Sequence, residues 1–255
     1  YLGEHFGPYP HEQLRIAEIP GYHGRIAFSF AQVIAFSESW GYSLDLSEAD
    51  YDPLAAVLTH EVAHQWWNHQ LLPADTQGAT FIAETLCQYA AAMIMRQLGG
   101  EAAVDRFSEI HRELYLRGRS AEQIAEMPLA QVENQGYVHY GKGPLALLQL
   151  ADSIGESTLN QALSDFLRSA RFAGPPYPDT RQLLDYLRAA APEEGALINQ
   201  LLEQVQLIDL KLVSATSSES DGRYLTRLTV QAQQWRDDVG RPVGRRRARR
   251  HGARR

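Results

Sequence analysis

Two histidines and a glutamate stand together at His60-Glu61-Val62-Ala63-His64. On a helix, side chains four residues apart share a face with Cβ atoms about 5–6 Å apart, so the two imidazoles can converge on one ion. Glu61 sits beside that pair. It is too close to ignore a cation and badly placed to be its main ligand, which suits a general base acting on a water that the cation polarises. A catalytic zinc site usually takes three protein ligands and leaves one position open. The third is expected from a carboxylate or His on a neighbouring element. Glu84 fits, one turn into a second helix, with Leu71-Leu-Pro-Ala-Asp75 making the turn that brings the helices together. Asp75, in the turn itself, and His69, about 140° off the face of His64, are the alternatives. The single cysteine, Cys87, excludes an internal disulfide framework and a Cys-rich metal site, so a metal must be held by His and carboxylates.

The elements that position these residues are mostly helical. Turn signals and alternating runs at Leu14–Ile19 and Arg25–Phe30 predict half-buried strands at the start of the chain. Asp52-Pro53 is a good N-cap and N1 pair, and the apolar spacing after it predicts a helix from about 53 to 69. A second helix is expected over about 80–98, stopped by Gly99-Gly100, and a third over about 101–117, before Gly118. Further helical patterns occupy about 143–153, 157–171, 179–190 and 194–206. The period then changes to two. Residues 207–213 and 223–230 flank a polar stretch, Ser214 to Gly222, which predicts a hairpin with a long loop. The fold class is α+β and mostly helical, with a small N-terminal sheet and a C-terminal β-hairpin. Gly141-Lys-Gly143 lacks the spacing and the Ser/Thr of a phosphate loop.

Composition narrows the function classes. The 255 residues are 44% hydrophobic and 22% charged, an ordinary globular balance. No apolar stretch approaches the roughly 18 residues that a membrane-spanning helix requires, so the chain is expected to be soluble. It begins at Tyr1 without a leader pattern, which suggests a segment of something longer. The formal charge of −7 conceals two parts: all 31 acidic residues and 16 of the 24 basic ones lie in the first 240 residues, and eight arginines lie in the last 15. A body at −15 repels phosphate backbones, so no nucleic-acid partner is expected. Residues 241–255 read as an Arg-rich disordered tail.

These residues resemble the gluzincin M1 zinc aminopeptidases, whose signature is HExxH followed by a Glu ligand after about 18 intervening residues; here 19 separate His64 from Glu84. Phe6-Gly-Pro-Tyr-Pro10 looks like the family's entry to its catalytic domain, and Tyr140-Gly-Lys142-Gly143 like its Y-x-KG motif. The exopeptidase signature G-x-M-E-N is matched only in part, by Phe36-Ser-Glu38-Ser-Trp-Gly41. The resemblance implies a thermolysin-like zinc peptidase catalytic domain over residues 1–206, followed by the start of a β-rich segment at 207–240. It implies one Zn2+ per chain on His60, His64 and Glu84, with Glu61 as base and Tyr140 as the hydrogen-bond donor to the developing oxyanion. Glu38 would bind the ammonium group of a peptide substrate with a free N-terminus. The likeness is greatest to M1-like domains fused to bacterial ABC transporter permeases, carried by Val62-Ala-His-Gln-Trp-Trp67, Pro73-Ala-Asp75 and Gly174-Pro-Pro-Tyr-Pro178. That implies a domain tethered to a membrane-associated protein. The alternative is a catalytically weak or inactive, zinc-binding accessory domain of such a transporter.

Overall fold

Short alternating segments and one apolar run build the first sheet. The computed structural model describes residues 1–41, 51–220 and 223–237. After a first helical turn (α1, Leu2–Phe6), strands β1 (Arg15–Ile19), β2 (Ala27–Phe30) and β3 (Val33–Ser37) pair in the order β1-β3-β2, parallel between β1 and β3 and antiparallel between β2 and β3. The central strand buries Ile34 and Phe36, whereas Ile16, Phe28 and Phe30 on the edge strands are exposed. The β2–β3 turn is tied to the helical body by Gln65. Its Nε2 donates to Ser29 Oγ and to Phe30 O, each at 2.8 Å, and its Oε1 accepts from the Gln32 N–H at 3.0 Å. The sheet is thereby fixed to the residue that follows His64. A short helix, α2 (Glu38–Gly41), leaves β3.

The helix carrying the two histidines, α3 (Pro53–Ala63), starts as expected: Asp52 accepts the Ala55 N–H and proline occupies the first turn. It ends at Ala63 rather than near 69, with His64 as its C-cap. The chain tightens through Gln65 N–H to Val62 O and Trp66 N–H to Ala63 O, then reverses at Asn68, where φ is +98°. Asn is one of the few residues that tolerate this region. The tryptophans that prolong the apolar pattern pack instead of coiling onward. Trp67 is fully buried with its ring centroid 5.3 Å from that of Phe6, and Trp66 Nε1 donates to Gly7 O.

The next helix opens with a π-helical turn, Phe81–Thr85, and continues as α4 (Leu86–Ala121). Gly100, at φ +70°, breaks the helical backbone as expected, yet the helix resumes at once. Gly118 is no stop either: its lack of a side chain admits Tyr137, whose Cβ lies 2.1 Å from where a Gly118 Cβ would be. A second π-helical turn, Tyr137–Lys142, leads into α5 (Gly143–Ile154), and α6 (Glu156–Ala170), α7 (Thr180–Ala190) and α8 (Gly195–Leu202) complete the body. One core joins these elements through Trp67, Phe81, Leu86, Tyr89, Leu147, Phe166 and Leu183, all fully buried. At about 25 cal/mol per Å² of apolar surface, each such side chain contributes roughly 1.5–3 kcal/mol.

The chain divides into two compact units after Glu203. The second consists of β4 (Val205–Ser220) and β5 (Arg223–Asp237), an antiparallel pair with an irregularity between Leu212 and Ser214. The polar stretch expected as a loop is therefore strand from Ser214 to Ser220. Ser214, Thr216, Ser217 and Ser218 are all exposed, on both faces of the strand, so no apolar alternation marks them. Among the described residues no helix is long and apolar enough to cross a membrane. The Arg-rich stretch 241–255 lies outside the described residues.

Candidate metal centre

His60 and His64 lie one turn apart on α3 and its cap, and both are buried. Their Nε2 atoms stand 3.1 Å apart. Glu84, in the π-turn that opens the next helix, brings Oε2 to 3.3 Å from His60 Nε2 and 3.5 Å from His64 Nε2. Of the three sequence candidates for a third ligand, Glu84 is thus the one in the cluster, while Asp75 is exposed. Tetrahedral ligands about 2.0–2.1 Å from a zinc ion stand about 3.3–3.4 Å from one another, and these three separations bracket that edge. Two nitrogens and a carboxylate oxygen are also a donor set that zinc accepts, so the residues fit the ion.

Packing orients the donors. His64 Nδ1 has two neighbours, Trp67 O at 3.2 Å and Cys87 Sγ at 3.3 Å, and the Cys87 thiol reaches Ala83 O at 3.2 Å. With Nδ1 protonated toward those acceptors, Nε2 is left free to bind a cation. This contact is missing from the sequence reading, which uses Cys87 only to exclude a disulfide framework and a Cys-rich metal site. Burial raises the Cys87 thiol, so it keeps its proton at neutral pH. Burial alone would also raise the Glu84 carboxyl, but hydrogen bonds from His60 and His64 hold it well below the usual carboxylate range. Burial pulls His60 down, and its Nδ1 has no hydrogen-bond partner among the described residues.

Glu61 is buried beside the cluster. Burial, reinforced by Glu84 and opposed by His64, raises its carboxyl to about 7, near the value at which a group can both take and release a proton in neutral solution. Tyr140 lies with its ring centroid 5.9 Å from that of His60. Burial first, then Glu84 and Glu61, push its phenol upward, so it remains a hydrogen-bond donor. The turn that carries it is anchored by His111 Nδ1, which donates to Tyr140 O at 2.7 Å, and by Lys142 Nζ, 2.7 Å from Glu126 Oε1. Glu126 is buried and satisfied by three donors, Lys142, Tyr115 and Arg119. Burial and the nearby Arg119 bring the Lys142 ammonium down to about 8.

Glu38 has a different neighbourhood. It is exposed, and its Oε2 accepts the Gly21 N–H at 2.8 Å, which ties α2 back to the segment between β1 and β2. His139 is buried against Tyr140 with ring centroids 4.3 Å apart, and its Nδ1 has no partner among the described residues.

No protein-family model matches the sequence, and no curated protein matches it. Solved structures do. The chain is similar to the M1 zinc metallopeptidase of Deinococcus radiodurans, solved as a mutant bound to a Tyr-Ser-Ala substrate and as the mutant alone, each at TM-score 0.59 and 21% identity over 79% of this chain and 42% of that one. It is also similar to Legionella pneumophila aminopeptidase A in complex with aspartic acid, at TM-score 0.57 and 12% identity over 94% of this chain and 31% of that one. The chain therefore has the fold of M1 zinc metallopeptidases, mostly helical with small sheets, and spans less than half the length of these structures.

Proposed function

We propose that the chain is a zinc-dependent peptidase of the aminopeptidase type, binding one Zn2+ on His60, His64 and Glu84. The observation that carries this reading is the triangle of 3.1, 3.3 and 3.5 Å formed by the three donor atoms, with Glu61 and Tyr140 beside it. Zinc held there would supply a Lewis acid that polarises a carbonyl and makes water acidic enough to ionise near neutral pH. The chain's own groups do the rest. A carboxylate oxygen of Glu61 takes the proton of the attacking water and delivers it to the leaving amine. The Tyr140 hydroxyl donates to the carbonyl oxygen as that atom becomes negative. Glu38, with one oxygen held by Gly21, offers the other to the ammonium group of the substrate, so cleavage removes the first residue of a peptide. The acidic body favours such cationic substrates.

The test pairs metal analysis with a panel of aminoacyl and N-blocked peptide substrates. One zinc per chain and cleavage of the aminoacyl substrates are expected, with Glu38→Ala hurting these far more than N-blocked ones. Equal effects on both would point to an endopeptidase. One zinc per chain without turnover of any substrate would favour an inactive accessory domain instead.

A further inference from the structure

Glu84 and Tyr140 each sit in a π-turn, and the two turns touch. Such turns interrupt the regular helical ladder and gather at functional sites. Here one runs over Phe81–Thr85 and the other over Tyr137–Lys142. Thr85, fully buried and next in sequence to Glu84, joins them: its Oγ1 donates to His139 O at 2.8 Å. From the other side Gly143 presses on the same side chain. A Cβ at position 143 would lie 2.5 Å from Thr85 Cγ2 and 2.7 Å from its Oγ1. His111 and Glu126 also hold the second turn, through Tyr140 O and Lys142. Thr85 holds it from the residue adjoining Glu84.

Building on the zinc-peptidase reading, we infer that Thr85 is a positioning residue: its hydroxyl on His139 O, with Gly143 seated against it, sets the register between Glu84 and the Tyr140 hydroxyl. Small errors in such a register are expensive, because misplacement by about 1 Å can cost around a hundredfold in rate. The joint aligns a donor with the reacting carbonyl without touching substrate. Its loss should therefore lower kcat and leave ground-state binding alone.

Thr85→Val keeps the shape that meets Gly143 and removes the donor. In the zinc-loaded protein kcat is expected to fall about tenfold, the effect of roughly 1.4 kcal/mol, with KM and zinc affinity by chelator competition unchanged. In zinc-free protein the amides of residues 137–142 should exchange with solvent faster than in the unsubstituted chain, a readout independent of turnover. Thr85→Ser should restore both. Gly143→Ala, which drives a Cβ into Thr85, should reproduce both changes and carries the test if the Val variant does not fold. Unsubstituted kcat and exchange in the Val variant would overturn the inference. So would a loss of zinc affinity that parallels kcat, since Thr85 would then act on Glu84 alone. If the unsubstituted chain shows no turnover, the peptidase reading fails while the exchange comparison still decides whether Thr85 joins the two turns.

Discussion

Cys87 Sγ lies 3.3 Å from His64 Nδ1, and the thiol itself reaches Ala83 O, the carbonyl that precedes Glu84. One buried side chain thus touches one histidine of the candidate metal cluster and the backbone next to its carboxylate. It is a weak acceptor but a well-placed one, and partners of this kind commonly shift metal affinity by 10–100-fold. Cys87→Ala is expected to weaken zinc binding by about tenfold, and Cys87→Ser, which keeps an acceptor there, by much less. Chelator competition measures both. Unsubstituted affinity in the Ala variant would show that Trp67 O alone suffices to orient His64.

Tyr140→Phe removes a hydroxyl and leaves the ring against His60 and His139. Removing one oxyanion donor typically costs 10²–10³ in kcat, so a fall of about that size is expected, with KM and zinc content little altered. Steady-state kinetics on an aminoacyl substrate would show it. A variant within a fewfold of the original kcat would take Tyr140 out of the chemistry.

His111 makes the fold sensitive to acid. Burial, aided by His60 and opposed by the hydrogen bond to Tyr140 O, brings its imidazole down to about 4, against about 6.5 in an unfolded chain. Between those values the unfolded chain binds a proton that the folded one refuses, so stability falls as pH drops from about 6.5 to about 4 and levels off below. The full effect is on the order of 3 kcal/mol. His139, brought down to about 4 mainly by burial, adds to the same window. His111→Gln should keep a donor for Tyr140 O and flatten much of this slope in denaturant titrations at pH 4 to 7. An unchanged slope would mean that His111 is already protonated in the fold.

The clustering of His60, His64 and Glu84 is legible because a four-residue spacing on a helix is a geometric statement, and because the Leu71–Asp75 turn brings the next helix alongside. Glu84 was found for that reason, although it sits in a π-turn that no periodicity announces. The end of α3 was misjudged because Trp66 and Trp67 continue the apolar pattern while their burial against Phe6 and Gly7 pulls the chain out of the helix. Gly118 looked like a stop and is a seat for Tyr137. Cys87 and Thr85 act across elements, on His64 and on His139 O, and a contact between distant segments leaves no local signature. Glu38 is read from a partly matched motif, and in the structure its carboxylate accepts from the Gly21 backbone.

The most direct test of the central claim is hydrolysis of an aminoacyl substrate by zinc-loaded protein carrying Glu61→Gln, beside the unsubstituted chain. This change keeps the shape and removes the base without touching the three donor atoms. The account predicts one zinc per chain in both proteins, turnover in the unsubstituted chain and turnover lowered by at least about 10³-fold in the variant. Equal turnover in the two proteins, with zinc bound to both, would contradict it.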